Sequence, residues 1–298
     1  MARFSFGNAA MHFAQADGPG GFLWKYVISY ILATALLVGA SYFLFQPVFG
    51  VLWSVIQQAA QGVSEAQVEA IVTREMTRLL GRIIIGYIAM LLLGALFWAV
   101  FEAAIQRRYV REEGFSIGLG GDEFRLLVVG LLWVVFMIVF YILTGLVSAL
   151  LVGIFLSSTD EPSMLVLIFP VVYLLSGLFW AYFAVRLSPA SAMTIRDRKI
   201  HFFGAWGATR KRFLPLFLAY VVLALVLSVI FMIVYFIGGA AVFGTVFAMV
   251  GDLNSLEDNP EEIFLLLLDG TLIYPFLGFY FVMLILQGIL FYVWAGPA

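Results

Sequence analysis

Residues 126–156 read LLVVGLLWVVFMIVFYILTGLVSALLVGIFL, without one charged side chain in the run. A helix rises about 1.5 Å per residue and the hydrocarbon core of a bilayer is about 30 Å thick, so about 20 apolar residues suffice to cross it. This run exceeds that length. Its apolar positions are continuous rather than alternating, which selects a helix over a barrel strand. A helix also satisfies its backbone polar groups within the segment, as a lipid environment requires. Five more stretches read the same way: 22–50, 81–105, 163–187, 213–250 and 263–295. The expected fold is an all-α integral membrane protein with six transmembrane helices in a single transmembrane domain, 1–298. The stretch 213–250 is longer than one crossing needs. Gly238-Gly239 is the place where the sequence expects it to end, bend or leave the bilayer. The run from Phe22 to Gly50 far exceeds a signal-peptide core of about 7–15 residues, so it reads as a retained first span.

Composition agrees. Hydrophobic residues make up 64% of the 298 positions and charged residues 11%, against about half and about a quarter in ordinary globular domains. The mean hydropathy is +1.07. These values exclude a soluble globular protein, a disordered chain and a nucleic-acid-binding domain. With no cysteine, disulfides, thiolate catalysis, Cys-ligated zinc and iron–sulfur clusters are excluded too. His12 and His201 leave little material for a histidine metal site. No Gly-x-Ser-x-Gly, His-Glu-x-x-His or P-loop occurs. Gly118-Leu119-Gly120-Gly121-Asp122 lacks the Walker lysine and reads as a turn. Asp252-x-Asn254 lacks the glycine and spaced ligands of a calcium loop. The chain is therefore expected to be no enzyme, and to hold no cofactor or metal.

Charge sidedness sets the orientation. The N-terminus through Lys25, the 106–125 loop and the 186–212 loop carry 13 Lys and Arg, while the other side carries 3: Arg74, Arg78 and Arg82. Positive residues flank cytoplasmic ends, so both termini are expected in the cytoplasm and loops 57–80, 157–162 and 251–262 outside. The reading is a multi-pass membrane protein. Within the first outer segment, Ser64 and Gln67 form a capping-box start. Val68, Ile71, Val72, Met76, Leu79 and Leu80 then recur at helical spacing. An amphipathic helix over 64–82, continuous with the second span, is expected.

Two short patterns recur. Phe4-Ser5-Phe6-Gly7, Phe115-Ser116-Ile117-Gly118 and His201-Phe202-Phe203-Gly204 precede odd-numbered spans. Leu96-Phe97-Trp98, Leu178-Phe179-Trp180 and Leu290-Phe291-Tyr292 lie near the cytoplasmic ends of even-numbered spans. The reading is three two-helix units, 1–105, 106–187 and 188–298. Each opens on a cytoplasmic interfacial segment. Two spans per unit make the repeats parallel, related by an axis along the membrane normal.

The third cytoplasmic segment is the most distinctive. From Arg196 to Phe213 it brackets an aromatic core with basic residues. Tryptophan favours the membrane–water interface, and Arg and Lys stems lie along apolar surface with their charges on phosphates. Arg196, Arg198, Lys199, Trp206, Arg210, Lys211 and Arg212 are the lipid-headgroup candidates, with anionic headgroups as the expected partner. Phe202, Phe203, Trp206 and Phe213 are expected in the acyl boundary.

Arg186-Leu187-Ser188-Pro189-Ala190, followed by Ala205-Trp206, Thr209-Arg210 and Phe213, resembles a pattern in a loose bacterial family. It comprises YciC-like inner-membrane proteins and the membrane domain beside some glycerophosphodiester phosphodiesterases. About 30 residues carry the resemblance, and Gly207 interrupts the usual spacing. It implies an inner-membrane protein. The phosphodiesterase activity of that family belongs to a separate soluble barrel, for which this chain has no room.

Ionisable groups inside spans point to function in membrane proteins. The polar candidates here are Glu102, Arg186, Asp269 and the neutral Gln287. Glu102 is expected to pair with Arg107 or Arg108. Gly145, Ala149 and Gly153 form a small-residue face for helix contact. The leading functional expectation is a non-enzymatic scaffold or envelope-homeostasis factor of the inner membrane. It would contact anionic lipid through its interfacial helices, with a membrane-protein partner or homo-oligomer left open and no nucleic acid. The alternative is a transporter or lipid-handling channel with a cavity on the repeat axis. A cavity lined by Glu102, Arg186 or Gln287 would favour it.

Overall fold

The computed structural model describes residues 6–16, 18–60, 63–158, 165–250 and 273–297. Phe4 and Ser5, loop 159–162, the Asp252–Asn254 pattern and Asp269 lie outside these. The described residues form helices without strands: α1 (Phe6–Ala10), α2 (His12–Gln15), α3 (Phe22–Ala60), α4 (Glu65–Arg111), α5 (Gly121–Ser158), α6 (Leu165–Leu187), α7 (Ala190–Asp197), α8 (Gly204–Thr209), α9 (Phe213–Val250) and α10 (Ile273–Trp294). Six of them, α3, α4, α5, α6, α9 and α10, are long and apolar enough to cross a membrane. The protein is an all-α, six-span membrane protein.

The helices run past the expected spans. α4 holds 47 residues, about 70 Å of helix. Its uncharged part, Ile83–Phe101, is about 28 Å long and matches one hydrocarbon core. The charged remainder at each end therefore extends beyond it. At the start, the Ser64 carbonyl accepts the amides of Gln67 and Val68 at 2.9 and 3.1 Å. The helix then continues without interruption from the 64–82 stretch into the second span. At the other end, α4 reaches Arg111 and α5 begins at Gly121. The 106–125 stretch is thus mostly helical, with 112–120 as its connection.

α9 does not end at Gly238-Gly239; it continues to Val250. Leaving backbone groups unsatisfied in an apolar medium costs several kcal/mol each, which favours continuing the helix. Gly238 has a different use. A Cβ there would collide with the Phe279 ring on α10, so the glycine admits close aromatic packing.

The chain divides into two compact units. The first comprises Met1–Phe22, Trp98–Ala224 and Tyr292–Ala298. Its core gathers Ala99, Ala103, Leu126, Val129, Leu187, Ile195, Phe202 and Ala205. An aromatic layer lies against it. Trp133 meets Trp180 at 6.0 Å and Phe202 edge-on at 5.5 Å, and Phe183 meets Trp206 at 5.4 Å. The second unit comprises Leu23–Phe97 and Leu225–Phe291. In it Tyr30 stacks on Tyr26 and meets Phe97 edge-on at 5.2 Å. Phe45 meets Tyr87 edge-on at 5.2 Å, close beside Gly86.

Candidate functional site

The first unit is organised around the C-terminal end of α4. Arg107 and Arg111 are four residues apart and share a helix face. Arg107 pairs with Glu123 at 2.6 Å and donates to the Ser116 carbonyl at 3.0 Å. Arg111 pairs with Asp122 at 2.8 Å and donates to the carbonyl of Ile195 near the end of α7. Asp122 also holds Arg125 at 2.9 Å. Acids in the first turn of α5 and bases in the last turns of α4 each complement their helix dipole. Glu123 further accepts the Gly120 amide at 2.9 Å, so the glycine-rich stretch is a helix start fixed by this carboxylate.

Arg108 points elsewhere. It donates to the carbonyls of Pro19 and Ala16 at 3.2 and 3.3 Å and lies over the Phe22 ring at 5.5 Å. Gly18 has φ +126°, and a side chain there would strike the Arg108 guanidinium and the Glu112 carbonyl. Tyr109 donates to the Tyr292 carbonyl at 2.7 Å, and Tyr292 donates to the Phe13 carbonyl at 3.4 Å. The end of α4 thus ties down the N-terminal segment, the starts of α5 and the C-terminal residues, and the end of α7.

Glu102 is not the partner of Arg107 or Arg108. It is buried and accepts the Gln106 side-chain amide at 2.9 Å, with a further side-chain hydrogen bond to Ser191. Arg107 is taken instead by Glu123, which the sequence placed in a loop and the fold places at the first turn of α5. Arg186 sits in an aromatic cage. Its guanidinium carbon is 5.5, 5.0 and 5.6 Å from the rings of Tyr182, Trp206 and Phe213. These cation–π contacts, worth about 0.5–2 kcal/mol each, join α6 to α8 and the start of α9. Gln287 is exposed on α10.

The Arg196–Phe213 stretch is not one continuous helix: it holds the end of α7, a connection over 198–203 and the short α8 before α9 begins. α7 ends where Arg198 takes a left-handed conformation, φ 54°, a common way for a helix to stop. α8 then follows as a separate turn. Arg196 pairs with Asp197 at 2.7 Å. Arg198, Lys199, Arg210, Lys211 and Arg212 are exposed. Phe202 is not in an acyl boundary; it is 3% exposed and packs on Trp133. Trp206 is half-buried over Arg186, whereas Phe203 is 72% exposed.

Behind this stretch lies an open cleft of about 340 Å³. α2 contributes His12, α4 Val110, α7 Met193 and Arg196, the stretch from α8 into α9 Arg212 and Leu216, and the residues after α10 Gly296 and Pro297. Burial pushes the His12 imidazole below its ordinary value, which leaves it neutral at neutral pH. The sequence reading did not assemble this cleft. Its walls come from five separated stretches, and no spacing in the chain links them. Compared with known protein families, curated proteins and solved structures, the chain has no significant match.

Proposed function

We propose that the chain is a non-enzymatic protein of the bacterial inner membrane, a scaffold or envelope-homeostasis factor that engages anionic lipid on the cytoplasmic side. One observation carries this reading. Arg198, Lys199, Arg210 and Lys211 are exposed around a segment whose Phe202 and Ala205 are buried in the first unit's core. Packing from behind holds the cations on a rigid support, so engaging a surface costs little side-chain ordering beyond the lysine and arginine stems. Glu102 and Arg186 are engaged by Gln106 and by aromatic rings, which favours this reading over a transporter that would use them along a path. The three-unit parallel repeat and the cytoplasmic placement of both termini belong to the same reading.

Orientation is checked by single cysteines, since the chain has none of its own. A cysteine at exposed Ser64 should react with an impermeant maleimide in intact spheroplasts. One at exposed Ser116 should react only after lysis. The reverse pattern overturns the orientation.

Lipid engagement is read with a fluorophore at Gly207→Cys, where an added Cβ meets nothing within 4 Å. The protein is placed in nanodiscs holding traces of acceptor-labelled phosphatidylglycerol or phosphatidylcholine. Each basic residue near an anionic surface is worth about 1 kcal/mol. If half of Arg198, Lys199, Arg210 and Lys211 engage, the gain is about 2 kcal/mol, an enrichment of about 30-fold. Transfer to the anionic acceptor should exceed that to the zwitterionic one and fall with salt. It should collapse when all four become glutamine. Equal transfer to both acceptors removes the reading.

A further inference from the structure

We propose that the chain pairs with a second copy of itself through the first half of α4, as a parallel two-helix seam. Ala66, Ala70, Thr73, Thr77, Leu80 and Ile84 are spaced four, three, four, three and four apart. That is the interval at which two supercoiled helices meet. All six are exposed. The neighbouring apolar face is already used: Val68, Ile71, Val72, Met76 and Leu79 are half-buried within the chain. An open groove of about 550 Å³ lies on the exposed face, lined by Ala66, Ala70, Thr73 and Thr77 together with Glu69 and Arg74. Small seam residues let two backbones approach closely. The Thr77 hydroxyl donates to the Thr73 carbonyl at 2.6 Å, so its polar atom is satisfied before it enters a seam.

Charge chooses the occupant. In heptad terms Ala70 and Thr77 take position a, Ala66 and Thr73 position d, Glu69 position g and Arg74 position e. In a parallel pair, a g residue lies beside the e residue five places on in the facing helix. Glu69 therefore meets the second copy's Arg74, and Arg74 meets its Glu69. Both side chains are exposed, and they stand on opposite flanks of the seam. The face is thus complementary to itself in this register. Insertion enforces the same arrangement. Two copies inserted alike in one bilayer form a closed pair about an axis along its normal, which sets α4 parallel to α4. Leu80 and Ile84 carry the seam from the charged stretch into the uncharged run that begins at Ile83. The seam uses no residue of the lipid reading, and it holds whichever side of the membrane this stretch occupies.

The test is disulfide cross-linking of the full-length protein in membranes, with single cysteines introduced into a chain that has none. Across a two-fold axis each seam residue meets its own counterpart. Thr73→Cys and Thr77→Cys should therefore give covalent dimers on mild oxidation. Arg78→Cys, exposed but off the seam at position b, should give about fivefold less. In the Thr73→Cys chain, Glu69→Arg or Arg74→Glu alone sets like charges opposite one another and should lower the dimer yield about fivefold or more. The two reversals together remake the pair and should return the yield to within about twofold. All these positions are on the surface, where substitutions leave folding intact. Equal yields at 73, 77 and 78 would mean chance collision and overturn the seam. So would a double reversal no better than the singles. Absence of dimer from both seam cysteines overturns the pairing and leaves this face covered by the chain's own residues. A cross-linked product of any mass other than twice the chain overturns it in favour of a different protein.

Discussion

Replacing Arg107 by methionine should cost about 3–5 kcal/mol of stability, because it strands a buried carboxylate. The Glu123 side chain is 3% exposed and the Arg107 side chain 10%. Their contact at 2.6 Å gives Glu123 its cation; the Gly120 amide alone would remain. Arg111 cannot take over, since it is committed to Asp122 and the Ile195 carbonyl. The loss should be measured as a shift in the unfolding free energy of the protein in mixed micelles. Arg107→Met combined with Glu123→Leu should recover part of it, because removing both charges also removes the desolvation penalty of the survivor. A double variant as unstable as the sum of the singles would show that the two side chains do not act as a pair. A single variant costing under about 1 kcal/mol, the range of an exposed ion pair, would show that water reaches the site.

Phe202→Ala and Phe203→Ala should differ by several kcal/mol although they are neighbours of one type. Phe202 is 3% exposed, edge-on to Trp133 at 5.5 Å and part of the core with Leu187, Ile195 and Ala205. Truncating it removes a buried ring and leaves a cavity, at about 3–5 kcal/mol. Phe203 is 72% exposed, so its truncation should stay within about 0.5 kcal/mol in detergent. The same micelle titration reads both. Because Phe203 faces outward beside the basic residues, its loss should show instead as weaker energy transfer to acceptor lipid in nanodiscs. If both variants destabilise the protein equally, the two rings share one environment and the inward packing of Phe202 just before α8 is wrong.

The six spans, the all-α class and the continuity of α4 from the 64–82 stretch into the second span were legible in the chain. These depend on local quantities: apolar length against bilayer thickness, and one helical periodicity. Where the sequence erred, it lacked information about neighbours. Gly238-Gly239 is where the sequence expects the 213–250 stretch to end, bend or leave the bilayer; the helix does not end there but runs on to Val250, and the Phe279 ring on another helix gives the missing Cβ its purpose. Phe202 and Phe203 are indistinguishable by composition, and only the packing of Trp133 on α5 separates the inward ring from the outward one. The basic residues 107, 108 and 111 served in the sequence as topology signals. The fold gives each a partner far along the chain, at Glu123, Pro19 and Ile195. Membrane insertion follows from summed hydrophobicity, which the sequence carries by itself. Which cation meets which anion, and which polar groups border a cleft, follows from the distances between helices, and tertiary packing alone decides those.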